Sequence, residues 1–427
     1  MLYDEAFKIE CKMNQQDFTR DRKLPFARLV LFMLNLVRKT LQHELDRFFD
    51  LFESHGQLPP SKQAFSKARM KLSPAAFIGL NDRLVEQFYA DGEFKQVKGY
   101  RLLGIDGSTL ELPASQDITR TYGGQPGATY PMGRASVVFD VINQITLDAQ
   151  LVPYQSDERV LALEHLRRLA QLEKTMLPEI WLMDMGYPAF YWMAYLLQHK
   201  REFVIRVYPG FCKEVDAFLA SGAPEGVLEI DVFAEGREVN PKFKQYLPDV
   251  DACVLTLRMV VLELPGGKRM LLLTSLLDPA EFSCADLGDL YRWRWPVETH
   301  FDLIKNIVEL EDFTGLSSLS VLQDFHATVL TCNINALVLN DVEQELAVEN
   351  AAKPERKHTY KANRNLSIAT LKDNVVRLLL DQIDVESFYR DLIEQVKRNK
   401  VPIRPGRHFR RKRRHKSKYS INKKRAL

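Results

Sequence analysis

Cysteine is scarce in this sequence. Only five of 427 residues are Cys (Cys11, Cys212, Cys253, Cys284 and Cys332), scattered and without a C-x-x-C pair. That excludes a disulfide scaffold and a cysteine-built zinc site, and it fits a reducing cytoplasm. Long apolar runs are missing too. The longest, Leu29 to Val37, is broken by Asn35 and closed by Arg28 and Arg38, well short of the roughly 20 residues a membrane span needs. Asp4, Glu5 and Glu10, so near the start, do not read as a secretion signal, and no internal repeat is found. Net charge is small, +3, but unevenly spread. Residues 401–427 hold twelve Lys or Arg and no acid, which leaves residues 1–400 at −9. Any nucleic-acid surface on the body must therefore come from clustered charge rather than from its total.

What is present is a globular composition, 46% hydrophobic and 27% charged, long enough for two or three domains. Residues 1–95 read as a helical N-terminal domain. Phe26 to Phe52 shows helical spacing, Ser61 reads as the N-cap of a helix over Lys62–Met70, and Ser73-Pro74 opens another through Tyr89. The short Lys71-Leu72-Ser73 turn makes a helix-turn-helix one reading, with Lys62, Lys67, Arg69 and Lys71 as its positive charge; a helical packing domain is the other.

Residues 96–208 change to strands. Arg101–Asp106 is a short apolar run turned by Gly107-Ser108, and Ala135–Val141 and Ile145–Val152 read as two further strands. A helix follows from Asp157 to Glu173. Glu179–Asp184 is a second apolar run ending in Asp, Pro188 opens a helix to about Lys200, and Glu202–Tyr208 is a last strand. The order β-β-β-α-β-α-β is that of an α/β, ribonuclease-H-like mixed-sheet core. In it the first and fourth strands are parallel neighbours, so Asp106 and Asp184 end side by side. Carboxylates so placed repel unless a cation lies between them, and Mg²⁺ favours a few carboxylates with water and phosphate. For either Asp alone, a turn residue before glycine is the plainer reading. Residues 209–285 are a β-rich insertion (Val227–Val232, Cys253–Leu264, Met270–Ser275), and 286–346 return to the core with a helix over Val321–Leu346. Residues 347–400 are a helical C-terminal region, helical again from Ser367 to Val396. The basic tail, 401–427, includes Arg410, Arg411, Lys412, Arg413 and Arg414; it reads as a sequence-blind, salt-dependent DNA contact or as a solvated tail.

The stretch that carries chemistry is Tyr291 to Lys305. Tyr291, Arg294, Glu298 and Lys305 stand at offsets 0, 3, 7 and 14, which on one α-helix fall within a sector of about 60°. A carboxylate suits a hard divalent ion, while Arg and Lys suit phosphate oxygens. Pro296 interrupts this face: the helix either starts there or kinks, which would move Tyr291 and Arg294 into the preceding turn. Mixed charge on a solvated helix is the bland alternative.

Tyr-x2-Arg-x3-Glu-x6-Lys resembles the signature of bacterial insertion-sequence transposases of family four, DDE enzymes with a ribonuclease-H-like core. Asp106-Gly-Ser-Thr and Asp184-Met-Gly-Tyr resemble the surroundings of the first two acids in that family. The resemblance implies Asp106, Asp184 and Glu298 as catalytic metal ligands for two Mg²⁺ ions, with Mn²⁺ as a substitute. It implies Tyr291, Arg294 and Lys305 as DNA-phosphate contacts. It further implies cut-and-paste transposition through a hairpin, double-stranded DNA ends and target as partners, a homodimer in the synaptic complex, and a bacterial, nucleoid-associated protein. Related members stack an insertion Trp in place of a flipped base. Here Trp181, Trp192, Trp293 and Trp295 all lie outside the insertion, so that role falls to Phe243 or Tyr246 or is absent. Trp295 is the base-stacking candidate, Trp293 reads as core, Asp302 is a rival third ligand, and His300 reads as structural. The alternatives are a ribonuclease-H-like nuclease or resolvase without strand transfer, and a domesticated DNA-binding protein.

Overall fold

Arg101–Ile105 and Glu179–Met183 show almost no polar alternation, the mark of strands covered on both faces, and they occupy the middle of a sheet. The computed structural model describes residues 1–20, 22–35, 40–50, 58–90, 92–172, 177–234, 254–380 and 383–404. The basic run Arg410–Arg414, and Phe243 and Tyr246, lie outside the described residues.

The strands are β1 (Arg101–Glu111), β2 (Met132–Asp140), β3 (Ile145–Pro153), β4 (Glu179–Met183), β5 (Glu202–Val207), β6 (Glu225–Asp231), β7 (Val254–Leu264) and β8 (Lys268–Thr274). They form one sheet in the order β3-β2-β1-β4-β5-β8-β7-β6. β1, β4 and β5 run parallel, and β8, β7 and β6 continue antiparallel from β5. The 3-2-1-4-5 half, with helices Glu158–Leu172 and Phe190–Gln198 in its crossovers, is the ribonuclease-H-like arrangement. The strands of the insertion widen this same sheet.

Register places the two acids. Arg101 pairs with Glu179 across β1 and β4, and Gly104 with Leu182, at a constant separation of 78 residues. The same separation carried two residues on sets Asp106 across from Asp184. The pairing is reinforced by side chains: Arg101 Nη2 donates to Glu179 Oε2 at 2.6 Å, and both groups are 1% exposed. Arg201 also pairs with Glu179, and Trp181 Nε1 donates to Glu179 Oε1 at 2.6 Å. A buried ion pair adds little net stability, but its best-attested use is to specify register. Asp106 does not end its strand, however. β1 runs on to Glu111 beside β2, while β4 stops at Met183 and turns, with Tyr187 N–H bonded to Asp184 O at 3.1 Å. Gly107-Ser108 therefore stay extended.

The chain divides into two compact units, Val85–Thr109 with Arg134–Phe301, which holds most of this sheet, and Met1–Leu84 with Leu110–Gly133 and Asp302–Leu427. In the latter, the helical stretch expected from Phe26 to Phe52 is two helices, Phe26–Leu34 and Leu41–Asp50; the first closes at Asn35, whose N–H reaches Phe32 O. Ser61 caps Lys62–Arg69 through Ala64 N–H, and Ala75–Ala90 follows. Phe32 packs edge-on against Phe48 and Phe65. A 34-residue helix, Ser318–Ala351, is buried along most of its length. Arg69, expected to face nucleic acid, is instead buried: it bonds Gln323 Oε1 at 2.9 Å and Asp324 Oδ1 at 2.8 Å. The pair behaves as a structural tie because an unpaired guanidinium could not remain there. The C-terminal part folds as helices Arg364–Leu379 and Val385–Arg398. Among the described residues, no helix is long and apolar enough to cross a membrane, and Cys11, Cys212, Cys284 and Cys332 are free.

Glu179→Ala removes the buried carboxylate that Arg101 and Arg201 share. Urea unfolding is expected to show a loss of about 3–5 kcal/mol, whereas replacing Arg101, Glu179 and Arg201 together by apolar residues costs far less. A loss below about 1 kcal/mol for Glu179→Ala would show that the triad does not hold the strand pair.

Candidate active site

Three chain segments meet around the middle of β1 and the end of β4. Asp106 Oδ1 accepts from Gly107 N–H at 2.8 Å, and Asp184 Oδ1 from Met185 N–H at 2.7 Å, so each carboxylate is oriented by its own backbone. The third segment is two short helices. Cys284–Arg292 is closed at its start by a Ser283/Asp286 capping box and ends at Trp293. The chain turns, with Arg294 N–H bonded to Tyr291 O, and Trp295–Asp302 begins with Pro296 in its first turn, where a missing N–H costs nothing. Tyr291, Arg294 and Glu298 are therefore not one helical face. Lys305 stands on a π-helical segment, Leu303–Ile307, in the other compact unit. Pro296 is the physical reason for the break. Gly104 lets the Glu298 helix come close: a Cβ there would lie 2.3 Å from Val297 Cγ2, so any larger residue two positions before Asp106 would push the helix away.

Arg294 sits at the centre of the charges. Its guanidinium is 8% exposed, donates to Glu298 Oε1 at 2.8 Å and lies 5.8 Å from the Tyr291 ring centroid. Its Nε and Nη1 are buried with no hydrogen-bond partner. Burial opposes the Arg294 cation, yet the bond to Glu298 and the nearby Tyr291 and Asp184 more than offset it, and its pKa is raised. Tyr291 Oη donates to Asp184 Oδ1 at 3.3 Å; burial, then the Asp184 charge, pushes that phenol up to about 12. Burial raises Asp106 to about 6, helped by the charges of Glu298 and Glu158 and opposed by Gly107 N–H and Arg294.

Among the described residues no three His, Cys, Asp or Glu side chains form a ready-made metal cage. The donor chemistry still fits a hard divalent cation. Asp106 feels both Glu298 and Glu158 as like charges, and Asp184 and Glu298 share the attention of one guanidinium. Crowded oxygen anions are what such an ion binds.

The sequence profile of the transposase DDE domain matches residues 98–334, more than half of the chain. The chain belongs to the transposase DDE domain family. It is 24% identical over 306 residues to the transposase InsG for insertion sequence element IS4 of Escherichia coli (strain K12), an alignment covering 69% of this chain and 65% of that protein. The chain thus spans just under two thirds of that relative's length. The piggyBac transposase synaptic complex with hairpin DNA aligns over 92% of this chain and 83% of that one, at 12% identity and a TM-score of 0.44, too distant to add to the topology above.

Within this DDE domain the remaining expectations sort by burial. Trp295 is 61% exposed, and Trp293, expected in the core, is 42% exposed, because the turn between the two helices projects both outward. A cavity of about 600 Å³ opens beside that turn, lined by Arg206, Met270, Tyr291, Arg292, Arg294 and Trp295 among others. His300 is structural: it stacks on Phe139 at 4.2 Å and bonds Thr146 Oγ1 at 3.0 Å. Asp302 is exposed and accepts from Asn306. Sequence reading passed over Glu158, Arg134 and Tyr187. One signal was available for Glu158, namely glycine at 107, where no left-handed backbone requires it.

The folded chain holds the Asp106 proton more tightly than an unfolded chain does, about 6 against an ordinary 3.8. This group therefore favours folding below about pH 4 and loses that contribution as pH rises through 6. In metal-free protein, Asp106→Asn is expected to raise stability at pH 8 by up to about 3 kcal/mol, with the gain vanishing by pH 4. Denaturant melts across that range check it, and a variant less stable than its parent at pH 8 would contradict it.

Proposed function

We propose that this protein is a cut-and-paste DNA transposase. It nicks the ends of its element, forms and reopens a hairpin, and joins the freed ends to target DNA. The observation that carries the reading is Arg294: a buried guanidinium with two nitrogens lacking acceptors, set among acids from three distant parts of the chain. A phosphodiester supplies both what the guanidinium lacks and what the acids, once neutralised, can act upon.

Asp106, Asp184 and Glu298 would hold two Mg²⁺ ions, with Mn²⁺ as a substitute. Bound there, the ions supply an activated water or 3′-hydroxyl and stabilisation of the leaving oxygen. The chain's own groups do the rest. Arg294 releases Glu298 and turns its free N–H groups to non-bridging phosphate oxygens in charge-assisted bonds. Tyr291 keeps Asp184 oriented, and Lys305 neutralises a neighbouring phosphate. Trp295, exposed beside a cavity large enough for a base, stacks on an unpaired nucleotide, an interaction worth about 1–3 kcal/mol.

End recognition falls to the N-terminal helices. Arg20, Arg22, Lys23, Lys67 and Lys71 line a groove of about 1190 Å³ beside the Lys62–Arg69 helix. The basic run Arg410–Arg414 adds salt-dependent affinity. Two ends must be brought together, so the working form is a homodimer on double-stranded DNA, associated with the nucleoid.

DNA flanking the coding frame provides the substrate. Asp106→Asn, Asp184→Asn and Glu298→Gln, made singly, should each abolish Mg²⁺-dependent end cleavage while end binding persists. Arg294→Lys keeps the charge but loses the fork, and should lower cleavage by about 10²-fold. Full cleavage by any of the three acid variants would remove that residue from the site, and cleavage without joining of a 3′-hydroxyl end would replace the transposase reading with a nuclease.

A further inference from the structure

Glu158 is the first residue of the helix that follows β3, and it reaches toward the strand after Asp106 and the turn after Asp184. A Cβ built on Gly107 would lie 2.9 Å from Glu158 Oε1, and one on Gly186 would lie 3.9 Å from Oε2. One carboxylate thus stands beside the residue after Asp106 with one oxygen and, at longer range, beside the turn after Asp184 with the other. Gly107 leaves room for it, although no left-handed backbone requires glycine there, while at Gly186 a side chain would only meet it at ordinary contact distance. The Glu158 side chain is 31% exposed, so it is open to an incoming ion.

Two neighbours show what the place is built to receive. Arg134, on β2, forms an ion pair with Glu158 and is steadied by its Nε bond to Tyr154 O at 3.2 Å. A cation therefore already stands against this carboxylate. Tyr187 is 1% exposed, and its hydroxyl has no hydrogen-bond partner. The charges of Asp106, Glu158, Arg134 and Asp184 all act on that hydroxyl, so it lies within the field they share. A buried hydroxyl left without a partner is costly; a water held on a cation nearby would donate to it.

We propose that Glu158 is a fourth carboxylate of the cation site, holding a divalent ion together with Asp106 and Asp184, and that Arg134 occupies its place when the ion is absent. This rests on the reading of Asp106, Asp184 and Glu298 as a cation site. Glu158 and Arg134 then act oppositely on the ion: one attracts it and the other competes with it.

Mn²⁺ binding to the full chain, followed by the loss of the free-ion electron paramagnetic resonance signal, tests this without DNA or turnover. Asp106→Asn and Glu158→Gln should each weaken Mn²⁺ binding about tenfold or more. Glu158→Asp, which keeps the charge but withdraws it by one methylene, should weaken binding less and serves if the Gln variant does not fold. Arg134→Gln should bind Mn²⁺ as tightly as the parent or more tightly. Unaltered binding in the Glu158 variants, with loss in Asp106→Asn, would overturn the role of Glu158 and leave the three-acid site standing. Equal binding by the parent and Asp106→Asn would overturn the site itself. Weakening by Arg134→Gln to the level of Glu158→Gln would show that Glu158 acts only through its ion pair, and the proposal would fail.

Discussion

A buried arginine–glutamate pair across two parallel strands is what the rest of this structure depends on. Arg101 and Glu179 are register partners and also bonded side chains, held where water cannot replace either. A slip of one residue would separate them and turn every side chain of β4 to the opposite face. Because β1 and β4 keep one separation along their paired length, fixing Arg101 against Glu179 also fixes Asp106 relative to Asp184 at the far end. The ion pair at one edge of the sheet sets the geometry of the acids at the other.

The acids at that far edge repel one another, and the chain answers with organic cations and donors. Arg294 takes Glu298, Tyr291 takes Asp184, and Arg134 takes Glu158. Asp106 accepts a backbone N–H, and burial with its acidic neighbours raises its proton affinity. Each of these bonds is exchangeable. In the proposed reaction a divalent ion takes over the carboxylates, while Arg294 is released toward phosphate. The site is thus crowded in charge rather than strained in its backbone, and in the proposed reaction it trades stability for affinity toward ion and DNA.

Much of this was legible in the sequence for definite reasons. Buried parallel strands read as unbroken apolar runs, so β1 and β4 and the acids they carry could be placed by pattern alone. Ser61 and the Ser73-Pro74 pair announced helices by their capping chemistry. Pro296 announced a break, although not its consequence: two helices and a π-helical segment where offsets suggested one face. What stayed hidden were contacts between distant residues. Nothing local distinguishes Arg69, buried on Asp324, from a surface arginine on a basic helix, and nothing local ties Glu158 to glycines some fifty residues before it and twenty-eight after it in the chain. Trp293 read as core because tryptophan is usually buried; the sharp turn at Pro296 projects it outward instead.

The central claim, that Asp106, Asp184 and Glu298 hold cations at one place, can be tested directly on the protein alone. Fe²⁺ substituted for Mg²⁺ in the presence of ascorbate and peroxide generates radicals that cut the backbone beside the bound ion. Cuts near residues 106, 184 and 298, all suppressed by excess Mg²⁺, are the predicted result. Cleavage confined to other segments, or cleavage at these three that Mg²⁺ does not suppress, would contradict it.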